Sequence, residues 1–241
     1  MKMWKISRAW NDKSIMRFCD EQQKHLANIN LVDNLKVNEI TKIAGVDLSY
    51  WKENNCEYAV CSIVIIDYLS KKVLEKVSSY DIITVPYMPG YLSFRELPLI
   101  LKTYNMVQMK PELIIFDGNG YLHYKHMGIA THASFYLEKP TIGVAKNYLK
   151  VNNTDFVMPK NIAGSFTDIV INKEIYGRAL RTKIDVKPIF VSCGNLISIE
   201  TSTQIILNLV GKDSRQPLPT RLADIESRHQ RGLIMKSDSI S

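Results

Sequence analysis

Apolar positions at Ile15, Phe18, Cys19, Leu26 and Ile29 recur at helical spacing after Asp12 and Ser14, with Gln22 as a polar lapse in the same stripe. That pattern predicts an amphipathic N-terminal helix of about four or five turns. The period then changes. Ile43 to Ser49 reads as a strand carrying Asp47 near its end, Tyr58 to Asp67 is a continuous β-branched run, and Lys71 to Ser79 follows across a short polar turn. Together these three predict an antiparallel meander. Ile83 to Tyr91 is a proline-flanked loop, and a helix is expected from Phe94 to Val107. Strand (Leu113 to Phe116), helix (His126 to Leu137) and strand (Thr141 to Ala145) come next. Further on, Asp168 to Asn172 and Glu174 to Thr182 suit a hairpin, Ile189 to Cys193 a strand, and Ser202 to Leu209 a helix. Pro217 to Pro219 breaks the chain before a short helix from Arg221 to His229, and a polar tail from residue 235 onward is expected to fray. No repeat, low-complexity tract or linker interrupts the order, so a single domain is expected, with residues 1–40 as an N-terminal helical segment. The fold class is α/β, a mixed sheet flanked by helices.

A chain of 241 residues buries roughly 70–75% of its unfolded surface and needs no disulfide or metal to fold. The hydrophobic share of 46% and charged share of 23% fit an ordinary globular protein. The formal charge of +7 and the pI near 9.1 favour polyanionic partners without identifying one. Cys19, Cys56, Cys61 and Cys193 are scattered with no CxxC pair, and the Cys56 and Cys61 pair at the start of an apolar run suits buried thiols better than zinc ligands. The opening residues lack a signal-peptide core, and no apolar stretch approaches the ~18 residues of a membrane span. A cytoplasmic, monomeric protein without membrane association is expected.

Candidate chemistry centres on the stretch Leu113 to Lys146. Its first strand ends on Asp117 and breaks into Gly118-Asn119-Gly120, which places an acid at the carboxyl edge of a sheet, where α/β proteins bind ligands. Asp117 could equally be a turn former. Asp47 in GVDLSY is either an acid emerging at a strand end or one held by a partner or metal. Glu96 closes the segment Ser93-Phe94-Arg95-Glu96, and the local sequence favours a capping box there. Lys146 follows the second strand of a strand–helix–strand unit, so a parallel pairing would bring it beside Asp117. A cation there could meet a phosphate. His123 by itself is as readily structural as catalytic. Pro86-Tyr87-Met88-Pro89-Gly90-Tyr91 holds an aromatic between two prolines, as a rigid wedge would require or as an ordinary proline loop would allow.

GVDLSY, PYMPGYLSFRE, FDGNGYLH, GIATH, PTIGVAK, PIFVSCGNLIS and LPTRLAD, in this order, resemble the endonuclease V family over about Ala44 to Arg228. The resemblance implies a ribonuclease H-like nuclease of DNA repair that recognises hypoxanthine, the deaminated form of adenine. It would cut the second phosphodiester bond 3′ to the lesion and leave 3′-hydroxyl and 5′-phosphate ends. It further implies metal-binding aspartates at Asp47 and Asp117, a third acid at Glu96, and a fourth position at Asp224 that is histidine in some members. His123 and Lys146 match a basic pair near the scissile phosphate. Tyr87, with Pro86, Met88 and Pro89 around it, matches the wedge. Gly90, Leu92, Gly118, Gly120, Gly128 and Ile129 match the pocket for the flipped base. Mg²⁺ is the implied cofactor, with Mn²⁺ as substitute, and deoxyinosine-containing DNA the implied partner; inosine-containing RNA and a non-catalytic binding module are the alternatives. Three departures stand out: Met88 where isoleucine is usual, HYKH after the glycine turn, and Asn195 where histidine is common.

Overall fold

The computed structural model describes residues 12–238, with side chains from 15 to 236. Helix α1 (Asp12–Leu26) leads into a meander of β1 (Lys42–Glu53), β2 (Cys56–Asp67) and β3 (Val73–Ile82). Then come α2 (Leu92–Asn105), β4 (Leu113–Asp117), α3 (Ile129–Leu137), β5 (Thr141–Ala145), β6 (Phe166–Ile171), β7 (Glu174–Leu180), β8 (Ile189–Asn195), α4 (Ile199–Leu209) and α5 (Leu218–Asp238). All eight strands form one sheet in the order β3-β2-β1-β4-β5-β8-β7-β6. The β1–β2 and β2–β3 pairs are antiparallel, whereas β1, β4 and β5 run parallel. That half, with α2 and α3 as crossovers, has the ribonuclease H-like order; β8, β7 and β6 extend it as an antiparallel unit.

Alternation along each strand divides the core into two layers, because successive side chains point to opposite faces. Ile43, Leu113, Ile115, Ile142 and Val144 face α4 and α5, packing with Ile205, Ile206, Leu209 and Ala223. Ala44, Val46, Ile114 and Phe116 face α2 and α3, packing with Leu97, Ile100, Ile129, Ala130 and Ala133. β4 is therefore apolar without interruption, since both of its faces are covered.

Several predicted boundaries shift. α3 starts at Ile129 rather than His126, because His126 is left-handed (φ 53°) and Gly128 takes the N-cap position. α4 starts at Ile199, where the Ser198 hydroxyl accepts from the Thr201 amide at 3.2 Å. The final helix is far longer than the predicted Arg221 to His229: α5 begins at Leu218, with Pro219 tolerated in the first turn, and continues to Asp238. Helix α5 thus takes in residues 235–238 of the polar tail, and 239–241 lie outside the described residues. Residues 1–11, most of the opening segment in which no signal-peptide core is expected, also lie outside them. Cys61 is buried as expected, but Cys56 is only half-buried. Among the described residues no helix is long and apolar enough to cross a membrane.

Candidate active site

The parallel pairing of β1 with β4 ends at Val46 opposite Phe116, so the next residue of each strand, Asp47 and Asp117, emerges at one edge of the sheet. β5 continues the row: Asp117 pairs with Val144, and two residues on, Lys146 places its Nζ 2.6 Å from Asp117 Oδ2. The first turns of α5 cross β1 at Gly45, where a Cβ would stand 2.1 Å from the Pro219 carbonyl carbon. This approach brings α5 alongside Asp47, and the Ser227 hydroxyl donates to Asp47 Oδ2 at 2.8 Å. Asp224, one turn earlier on α5, pairs with Arg228 at 2.8 Å. Glu96 comes from α2 and is buried; the Tyr50 hydroxyl donates to its Oε1 at 2.6 Å.

The predicted capping box does not form. α2 starts at Leu92, so Ser93 lies inside the helix, and its hydroxyl bonds Nδ1 of the buried His132 at 2.7 Å. Glu96 is left to turn toward Tyr50 and the other acids.

These groups share one electrostatic field. Burial raises the Asp47 carboxyl to about 6, and Asp117 and Asp224 push it the same way while Ser227 opposes. Burial raises Glu96 to about 7, with Asp47 and Asp117 adding to the shift and Tyr50 and Arg95 opposing it. Burial disfavours the Lys146 ammonium, but the hydrogen bond to Asp117 and the fields of Asp117, Asp224 and Asp47 outweigh it and raise its pKa. Each acid thus has its own partner: Ser227, Tyr50, Lys146 or Arg228. Among the described residues no three His, Cys, Asp or Glu side chains already converge as a ligand cluster. The donor set nevertheless fits a hard divalent cation, which takes carboxylate oxygens and retains water. A cation there would relieve the mutual repulsion that lifts Asp47 and Glu96.

The second group of predicted residues lies in two loops. Tyr87 is 66% exposed between exposed Pro86 and Pro89, as a presented wedge would be, whereas Met88 packs on Phe18, Val85 and Phe94. Gly90 is left-handed (φ 83°), and Leu92 is half-buried at the start of α2. His123 is buried rather than poised as a cation: burial lowers its pKa to about 4, and His126 and Lys125 lower it further. Its Nδ1 accepts from the Lys125 amide at 3.2 Å, and its Nε2 would stand 3.8 Å from a Cβ placed on Gly90. Gly120 and Gly128 serve close packing, since a Cβ would stand 2.1 Å from the Cys193 carbonyl oxygen or 2.2 Å from that of Asn119. Gly118 fits against the buried Ile129.

Sequence reasoning missed Tyr50, Ser227 and Arg95. Ser227 stands three residues after Asp224, a helical neighbour that the spacing could have flagged. Arg95 is buried, pairs with Glu57 at 2.7 Å, donates to the Val85 carbonyl at 2.7 Å and lies 4.6 Å from the Tyr50 ring centre. Asn195, at the position where the family commonly has histidine, uses its side-chain oxygen to accept from the Asn30 amide at 2.7 Å.

Known proteins resemble this chain over most of its length. The family model for endonuclease V matches residues 23–225. An endonuclease V from Bacillus thuringiensis is 56% identical over 224 residues, 93% of this chain and 95% of that protein. One from Bacillus subtilis is 52% identical over 209 residues, 87% of this chain and 88% of its own length. A crystal structure of an endonuclease V from B. subtilis superposes with a TM-score of 0.90 at 47% identity, covering 96% of this chain and 97% of that one. The endonuclease V of Ciona intestinalis superposes with a TM-score of 0.84 at 27% identity, covering 92% of this chain and all of that one. That protein was crystallised with a DNA containing an inosine followed by a ribo-adenosine.

Proposed function

The chain belongs to the endonuclease V family, and from that premise we propose that it is a DNA-repair endonuclease that recognises hypoxanthine and hydrolyses the second phosphodiester bond on its 3′ side. The products carry 3′-hydroxyl and 5′-phosphate ends. The observation that carries this reading is the juxtaposition of Asp47 and Asp117 one residue past the last β1–β4 pair, with Lys146 and Asp224 in the same field.

Asp47, Asp117 and Glu96 would hold Mg²⁺, or Mn²⁺ in its place, with Asp224 beside them. When bound, such a cation supplies Lewis acidity toward the attacking water and the departing 3′-oxygen. The chain's own groups do the rest. Lys146 offers an ammonium to a phosphate oxygen at the sheet edge. Ser227 and Tyr50 orient the Asp47 and Glu96 carboxylates through their hydroxyls. Tyr87, held out from the surface, fills the space left in the stack when the base leaves it. His123, neutral and packed beside Gly90, braces the pocket loop rather than carrying charge.

A second reading, cleavage of inosine-containing RNA, is favoured by the ribo-adenosine that follows the inosine in the strand bound by the Ciona relative. One assay separates the two. End-labelled strands, with and without a single inosine and with deoxy- or ribo-adenosine 3′ to it, are incubated in Mg²⁺ or in EDTA and the cut is mapped. A Mg²⁺-dependent nick one nucleotide beyond the inosine in all-DNA strands is the expected result. Cutting confined to the ribo-containing strand would replace it with the RNA reading, and no cut with binding retained would point to a binding module.

A further inference from the structure

Helix α1 lies outside the motifs that mark the site, yet it touches both loops of the pocket region. Phe18 stacks on Phe94 with ring centres 3.9 Å apart and planes at 15°, and it belongs to the small cluster with Val85, Met88 and Tyr91. Cys19 Sγ lies 2.9 Å from the Tyr91 hydroxyl, and Lys125 from the loop after Asp117 donates to both, at 3.0 Å and 3.1 Å. Gln22, the polar lapse of the apolar stripe, is fully buried, and its Nε2 donates to the Gly90 carbonyl at 3.2 Å. Gly90 also lies against His123, whose Nε2 would stand 3.8 Å from a Cβ placed there, so α1 and the loop after Asp117 converge on one residue of the wedge loop.

Gln22 is a poor choice for stability. Its Oε1 is buried without a hydrogen-bond partner among the described residues. An unsatisfied buried acceptor is costly, and an apolar side chain of the same shape would remove that cost while taking one donor from the half-buried Gly90 carbonyl. A residue that costs stability and fixes the backbone beside a recognition loop is the signature of a positioning role.

We propose that α1 is a brace for lesion recognition, with Gln22 as the positioning residue that fixes the Gly90 peptide and so sets how well the wedge loop discriminates a hypoxanthine from an ordinary base. The substrate named here rests on the reading above; the brace itself does not.

The test is Gln22→Met, with Gln22→Leu as a second variant. The ratio of apparent Kd for otherwise identical duplexes with and without one inosine is measured in EDTA, together with Tm and Mn²⁺ binding to the protein alone. Amide hydrogen exchange over residues 83–91 is followed without nucleic acid. Expected are a Tm unchanged or raised, unchanged Mn²⁺ binding, faster exchange in 83–91, and a discrimination ratio lower by roughly tenfold to a hundredfold, the scale at which small misplacements act. Unchanged exchange in 83–91 with unchanged discrimination overturns the proposal, as does a drop in Tm with a parallel loss of binding to both duplexes. If the wild-type protein shows no preference for inosine, the substrate reading has failed, and hydrogen exchange still decides whether Gln22 braces the loop.

Discussion

The acid cluster and the pocket loops are built on opposite principles. At the sheet edge, four carboxylates and a lysine are crowded so that burial and like charge push Asp47 and Glu96 upward. Around the proposed pocket, burial keeps His123 and His132 neutral, with pKa values of about 4 and about 3, and leaves Lys125 as the cation. There, stacked rings and hydrogen bonds to Gly90 and Tyr91 hold the loops in place. One region stores electrostatic stress that a cation would relieve, and the other fixes its shape with packed rings, neutral histidines and one lysine. The proposed metal site and base pocket would differ in this way because one must attract charge and the other must read a neutral, planar ligand.

Breaking the acid region alone has the largest expected effect. Asp117→Asn removes a proposed ligand and the partner of Lys146, and should cut cleavage by at least about a thousandfold, the scale of several kcal/mol of lost transition-state stabilisation. Inosine-specific binding in EDTA should survive. Full activity in this variant would sink the metal-site assignment, and loss of binding would show that the two regions are not separable.

Breaking the loop region alone is a smaller change. Tyr87→Ala should weaken recognition of inosine in duplex by roughly tenfold, as expected for one lost base–aromatic contact, with a lesser effect in single strands. Mn²⁺ binding should be untouched. Equal losses in both substrates would make Tyr87 a packing residue, which its 66% exposure argues against.

The pH dependence sharpens the contrast with the smallest signal. Asp47 and Glu96 have folded-state pKa values of about 6 and about 7, above the ~4 of an unfolded carboxylate. The folded protein therefore binds more protons between those values, and its stability from these groups is full below about pH 4 and is lost as pH rises through 6 and 7. The Tm gain on adding Mg²⁺ should accordingly grow from pH 5 to pH 7.5, by a few degrees, the scale of about 1 kcal/mol in a chain of this size. Glu96→Gln should flatten that rise. A Mg²⁺ effect independent of pH in the wild type would contradict the assigned repulsion. Carboxylates elsewhere, such as Glu112 and Glu226, are shifted downward and lose their contribution only under more acidic conditions.

How much of this could be read in the chain differs by region. The uninterrupted apolar run of β4 announced a strand covered on both faces, and Asp117 before Gly118 announced the edge. The helix between β4 and β5 required a parallel crossover, which is why Lys146 could be expected beside Asp117. Glu96 was misread locally, because Ser93 and Glu96 satisfy the capping pattern while the actual helix starts two residues too early to use it.

The sequence by itself determined the strands, their buried faces, the glycine turn and the acids that follow them, since period and turn chemistry are local properties. Only the tertiary structure decided which hydroxyl meets which carboxylate. Ser227 and Asp47 are 180 residues apart, and their contact follows from the passage of α5 over Gly45. Gln22 was visible only as a polar residue in an apolar stripe. Its meaning came from the Gly90 carbonyl opposite it, because periodicity encodes that a face is buried but not what it is buried against.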